Sequence, residues 1–259
     1  MQMKIRFYEA LHWLKKRCAV KMKLTFQKLF FVFMALQSFS CMMNKKEMAK
    51  IKKMAVVSIS CDKSLNGNEM SVLQFAGSTL LDSLELDSFA QNIQEKCYAE
   101  MFKSAKFSLL ESDTLIRNTV YLQIRNPLIK AYKGTAVPQG YTFVDHSIRD
   151  NFPKLKSMYK EAQAFAFIEA HYMMQAIVLG DTNSTKLGTA RIWATYEVFI
   201  YNAKGKKIFY QNIREQSDDS FNWTFAPSFN KDCVVPLRQA DGKALKRTVE
   251  VLKNKFSAY

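Results

Sequence analysis

Ala164-Phe-Ala-Phe-Ile-Glu-Ala-His-Tyr-Met-Met-Gln-Ala-Ile-Val178 and Thr189-Ala-Arg-Ile-Trp-Ala-Thr-Tyr-Glu-Val-Phe-Ile-Tyr201 decide how this chain folds. In the first stretch every even position is apolar, from Ala166 and Ile168 through Ala170, Tyr172 and Met174 to Val178. The second repeats the pattern at Ala190, Ile192, Ala194, Tyr196, Val198 and Ile200. The odd positions are mixed and include Glu169, His171, Gln175, Arg191, Thr195 and Glu197. Side chains alternate across a strand, so a sustained period of two predicts two strands, each with one buried face. The polar run Gly180–Gly188 joins them as a loop, and Ala203-Lys-Gly-Lys-Lys207 turns the chain into a third strand, Ile208–Arg214. Three such strands make an antiparallel meander, whose apolar face needs a helical cover. The closing segment supplies one: Leu237, Ala240, Ala244, Leu245, Thr248, Val249, Leu252 and Phe256 trace a single stripe, and Pro236 suits the first helical turn. Gly242 weakens that helix and marks a potential break.

Working towards the N-terminus, Met54–Ser60 is a short β-branched run that predicts a first strand, with Asn66-Gly67-Asn68 as a turn. Phe89, Ile93, Cys97 and Met101 then recur every four residues, as on a helix, and Phe107–Ser112 resumes strand character. The order strand, helix, strand predicts a βαβ crossover. Asp113–Arg117 opens a further helix, Val137-Pro-Gln-Gly140 is a turn, and residues 152–162 form a helix capped by Asp150 or Asn151. The fold class is therefore α/β: a mixed sheet with a long antiparallel meander, flanked by helices that include a C-terminal one. One domain is expected over residues 54–259.

The first forty residues read as an address. Leu29–Leu36 is an uninterrupted apolar run, preceded by Lys21, Lys23 and Lys28 and followed by Ser38 and Ser40. That order is the layout of a secretory signal peptide, and the run is far short of the ~20 residues that span a bilayer. Of the formal charge of +15, residues 1–40 contribute eight Lys/Arg against one acid, leaving 30 basic and 22 acidic residues in the body. Ser38-Phe39-Ser40-Cys41 resembles the lipobox of bacterial lipoproteins, in which the Cys becomes the lipidated first residue of the mature chain. Leu36 lies five positions ahead of Cys41, where the lipobox has Leu at three, and ordinary signal cleavage nearby is the competing route. Met22 begins a stretch that is by itself a compact lipoprotein signal, so residues 1–21 are either an over-long start or a basic amphipathic extension. Residues 41–53, with Lys45, Lys46, Lys50, Lys52 and Lys53, are expected to be the lipid anchor and a solvated tether. The expected location is the cell envelope, facing the periplasm, at the outer membrane in preference to the inner.

The element order over about 54–256 resembles a group of envelope lipoproteins that includes the curli-secretion-channel lipoprotein and the penicillin-binding-protein activator lipoprotein. The N-terminal domain of the Tol-system translocation protein belongs to the same group. The resemblance is carried by the first strand at Lys53-Met-Ala-Val-Val57 and by Phe107, Leu109, Leu110 and Glu111 after a helix. Glu161–Met174 as a helix running into a long strand, the Lys204-Gly-Lys206 hairpin turn and the closing helix complete it. Ser60-Cys61-Asp62 stands where the group often has Phe and Asn, and residues 113–149 and 215–235 look like insertions. The resemblance implies a mixed α/β fold that binds or assembles protein partners without catalysis.

No assembled active site emerges from the chemistry-bearing residues, so no enzyme activity, cofactor or metal is expected. Cys61, Cys97 and Cys233 allow one disulfide and a free thiol, and none has metal spacing. His146 beside Asp145 reads as a solvated loop His, and His171 with Glu169 as the polar side of an amphipathic strand in preference to a metal pair. Asp218-Asp219 reads as a solvated pair. The scattered basic residues and an export signal weigh against nucleic acid. Trp223 and Phe225 are interface candidates in a loop, because large aromatics anchor protein contacts, and the competing reading, slightly favoured, is that both pack back on the domain. The competing function is a periplasmic small-molecule binder or hydrolase with a pocket near 113–149, lined by Asp145, His146 and Arg149.

Overall fold

The computed structural model describes residues 41–67, 79–80, 86–122, 124, 135–179, 188–223 and 231–257. The expected signal peptide, residues 1–40, lies outside them. Elements in chain order are β1 (Cys41–Met43), α1 (Lys45–Met48), β2 (Lys53–Gly67), β3 (Thr79–Leu80), α2 (Leu86–Lys96), β4 (Ser108–Leu109), α3 (Ser112–Ile116) and α4 (Thr119–Leu122). There follow β5 (Thr135–Ala136), α5 (Asn151–Met158), β6 (Ala164–Leu179), β7 (Gly188–Asn202), β8 (Lys207–Gln216), β9 (Phe221–Trp223) and α6 (Val234–Ser257).

The described strands make one sheet, ordered β1-β8-β7-β6-β2-β3, with β4 and β5 on β2 and β9 on β7. The meander forms as its alternation requires: Ala166 pairs with Ile200, Ala170 with Tyr196 and Tyr172 with Ala194, all antiparallel. Tyr196 in turn pairs with Ile213 of β8. On the other side β2 runs parallel to β6, with Ile59 opposite Ile168, which makes the sheet mixed. The crossover after β2 also forms, because Lys53 pairs in parallel with Ser108 of β4. Its helix, α2, ends in one π turn over Cys97–Met101. The strand β2 outruns expectation and continues through Asn66 and Gly67.

The even face of β6 and β7 is covered by α6, whose Leu237, Ala240, Ala244 and Leu252 are buried, together with Ile93 and Cys97 from the crossover helix. Gly242 does not break α6, since the helix runs unbroken from Val234 to Ser257. The odd face is not left to solvent along its whole length. Phe165 and Phe167 are fully buried, because Phe152 of α5 and the segment 141–145 pack over that half. Glu169 is buried with them, so the expectation of one buried face holds only beyond it.

Residues 42–53 are not a solvated tether. Asn44 caps α1 by accepting from the Glu47 N–H, and its own N–H donates to the Ile208 carbonyl at 2.8 Å. Met48 and Ile51 are buried in the core. The lysines are solvated, as composition implied, but the apolar residues between them are spaced to fold back on the sheet. No helix among the described residues is long and apolar enough to cross a membrane.

Candidate functional site

Past the cover of α5, the odd face of the sheet carries a polar cluster that four strand positions bring together. Glu169 and His171 sit two apart on β6, and Glu197 of β7 lies directly opposite Glu169 in the antiparallel register. Asp62 follows Cys61, which pairs with Ala170, so β2 delivers its carboxylate from the far side. His171 Nδ1 bonds Asp62 Oδ2 at 3.0 Å, while Nε2 lies 3.5 Å from Glu169 Oε2 and 3.5 Å from Glu197 Oε2. Tyr210 donates to Glu197 Oε1 at 2.5 Å, and the Asn212 amide reaches the same oxygen at 3.2 Å.

Electrostatics follow from that geometry. Burial disfavours the His171 imidazolium, but hydrogen bonds to Asp62, Glu169 and Glu197 outweigh it and lift its pKa to about 11. The hydrogen bond from His171 is in turn the main reason that Glu197 is held down to about 2, against the opposing effect of burial. Both ring nitrogens therefore carry protons at neutral pH, and the ring ties three strands through three carboxylates. Glu169, His171 and Glu197 present ligand atoms within 4.8 Å of one another. They are the described residues that could hold a divalent cation, but the ion would have to displace the imidazolium proton. At neutral pH the arrangement works as an internal ion-pair lock.

Beside the lock the face is open and rich in adhesive side chains. The Arg214 guanidinium stacks 4.4 Å from the Trp193 ring, and Trp193 Nε1 donates to Gln175 Oε1 at 2.5 Å. Met173 completes the patch, 3.9 Å from Arg214 through its sulfur. Sequence alone points to Trp223 and Phe225 instead. Trp223 is the last residue of β9 and pairs with Gly188, but its side chain, and all of Phe225, lie outside the described residues. Trp193 was legible in principle, as an aromatic between Arg191 and Thr195 at outward positions of its strand.

The remaining candidates separate. His146 is not a solvated loop residue: its ring stacks 4.0 Å from Phe199, and Nδ1 lies 3.0 Å from the Tyr201 hydroxyl. Asp145 is buried and accepts from the Ser147 N–H and hydroxyl, holding the turn before α5. Arg149 lines a different space, so the three do not converge on the pocket that a hydrolase would need. Cys61, Cys97 and Cys233 are free and buried, and burial pushes their thiols up, Cys233 to about 11, which keeps them protonated and unreactive. Asp218 pairs with Lys243 at 2.5 Å, and both Asp218 and Asp219 are exposed, as a solvated pair would be. The backbone of Cys41 is described in β1 and its side chain is not.

No family model matches the chain, and no curated protein matches it. Among solved structures it is similar to a hypothetical protein from Chlamydia trachomatis, with 12% identity, a TM-score of 0.39 and coverage of 81% of this chain and 99% of that one. It is also similar to a lipoprotein from Neisseria meningitidis, with 13% identity, a TM-score of 0.29 and coverage of 80% and 99%. At these values neither assigns a family. Nothing in the comparisons supports the curli-secretion or penicillin-binding-protein-activator group.

Proposed function

We propose that this protein is a non-enzymatic envelope lipoprotein, lipidated at Cys41, whose domain holds a protein partner on the open face of β6, β7 and β8. The observation that carries the reading is the order at its N-terminus: basic residues, the apolar run Leu29–Leu36, then Cys41, with the α/β domain directly after it. The export machinery reads such a run in an extended precursor, and a Cys at its exit is where a diacylglyceryl group is attached. Two chains of lipid hold a protein at a bilayer without a membrane-spanning helix. A partner surface is supported by the Trp193–Arg214 stack, because the hot spots of protein interfaces are enriched in Trp, Tyr and Arg. The buried thiols and the proton-saturated His171 are poorly suited to nucleophilic or base chemistry at neutral pH.

Fractionation with metabolic lipid labelling tests the anchor. Wild type should carry the label and sediment with membranes, and Cys41→Ala should lose both. Cytosolic, unlabelled wild type would remove the reading. Photo-crosslinking from position 193 tests the partner face: a single envelope protein should be trapped there, and trapping should vanish with Arg214→Glu.

A further inference from the structure

At the end of the sheet where the chain enters the domain, α5 and the turn between β7 and β8 enclose a cleft of about 820 Å³. Its charged lining is Arg149, Lys156, Lys160, Lys204 and Lys206, with no acid among the lining residues. Lys156 serves the fold, donating to the carbonyls of Lys160 at 2.6 Å and Ala162 at 2.9 Å. Arg149, Lys160, Lys204 and Lys206 are exposed and make no ion pair within 4 Å among the described residues. The turn stays close to α5 because Gly205, at φ +75°, lets the backbone pack against the Phe152 ring.

The same end carries the chain's entry. Asn44 bonds the Ile208 carbonyl at 2.8 Å, and the Ala203 N–H bonds the Gln163 carbonyl at 3.0 Å, close in sequence to Lys160. Exposed Lys45, Lys46, Lys50 and Lys52 therefore join the same surface. Its acids are few: Glu47 pairs with Lys50 and feels Lys206, and Glu161 pairs with Lys53. Asp150 stands at the start of α5.

We propose that this basic end is a docking surface for anionic lipid headgroups, pressed on the bilayer by the anchor at Cys41; the orientation rests on the lipoprotein reading. Asn44 follows Cys41 by three residues, and an extended chain spans at most about 3.6 Å per residue, so the anchor can lie no more than about 11 Å from the α1 cap. With no tether to lift it, the domain meets the surface with this end. The free cations come from just before α5, from the segment after it and from the turn between β7 and β8, a spread that suits an array of phosphates more than one converging ion. Each basic residue held at an anionic surface strengthens partition by about fivefold.

The test uses full-length protein carrying Cys41→Ala, so that vesicle binding is read without the lipid. It should bind phosphatidylglycerol-containing vesicles in preference to phosphatidylcholine, and binding should weaken as salt rises. Arg149→Glu, Lys160→Glu, Lys204→Glu and Lys206→Glu together should cut that binding by more than about 100-fold. Reversing the exposed Arg238, Lys246, Arg247 and Lys253 of α6 makes the same change in net charge and should cost far less, and thermal melting of both sets verifies the fold. Equal loss in both sets, equal binding to the two lipids, or displacement of vesicles by low millimolar inorganic phosphate would overturn the proposal. Lipid labelling of the wild type reads the anchor separately, so a failed patch and a failed anchor give different results.

Discussion

The hydroxyl of Tyr196 donates to the buried carboxylate of Asp241 at 2.6 Å, and Tyr172 donates to the same oxygen at 2.7 Å. Tyr172 lies on β6 and Tyr196 on β7, diagonal to each other across the hairpin, so one side chain of α6 grips both central strands. Hydrophobic burial is non-directional and by itself would let the helix slide along the sheet. A two-donor contact fixes its height and rotation, because an unmatched hydroxyl or carboxylate in the core is costly.

Replacing Asp241 with Leu should therefore strand two buried hydroxyls and cost about 2–4 kcal/mol, measurable by urea unfolding. Asp241→Asn keeps an acceptor and should cost much less. Burial raises the Asp241 pKa above 3.8, and the two tyrosine hydrogen bonds only partly offset it. The sign follows from linkage: the folded state favours the protonated acid, so its contribution is complete below pH 3.8 and is lost as pH rises through the higher folded value. Asp241→Asn should flatten that dependence. A variant as weak as Asp241→Leu would show that the contact does not work as described.

His171 has the opposite chemistry and the same direction of pH effect. Its folded pKa, about 11, stands above the ordinary 6.5, so its contribution is complete below pH 6.5 and is lost as pH rises towards 11. The side chain is about a third exposed, and water screens the pairs, so the contribution at pH 7 is on the order of 1 kcal/mol. His171→Gln should lose that amount at pH 7 and match wild type near pH 11. In the same variant the Glu197 carboxyl should titrate above about 2, since its main hydrogen-bond donor is gone; carboxyl-detected NMR reads that titration directly.

Periodicity explains why the central hairpin was legible and the lock was not. Ala166, Ala170 and Tyr196 announce a buried face by spacing alone, and their register follows from it. Asp241 sits four residues after Leu237 and three before Ala244, on the buried stripe of the closing helix, yet its charge argues for the surface until two tyrosines are seen opposite. The partners of His171 come from β2, β6 and β7, more than a hundred residues apart in the case of Asp62, and no local pattern encodes that meeting. The folding of residues 42–53 is hidden for a related reason. Their lysines dominate composition, whereas Met48 and Ile51 act singly, through contacts that only the finished sheet provides.

Gly205 and Gly242 give a test of backbone reading with opposite signs. Gly205 has φ +75°, and a Cβ there would stand 2.9 Å from Phe152 Cδ2 and 3.1 Å from Cγ. Phe152 is buried between Phe167 and Tyr201, so its ring cannot swing aside. Gly205→Ala should cost about 1–3 kcal/mol from the left-handed backbone and the clash together. It should also open the basic cleft by pushing the turn from α5. Gly242 lies within α6, exposed, and a methyl group added there would meet nothing within 4 Å, so nothing opposes a side chain. Gly242→Ala should stabilise by about 1 kcal/mol, since alanine loses less backbone entropy on entering a helix. Thermal melts of the two single variants check both signs at once: two destabilised proteins would mean that α6 is kinked or crowded at Gly242, and two unaffected ones that the turn at Gly205 relaxes freely.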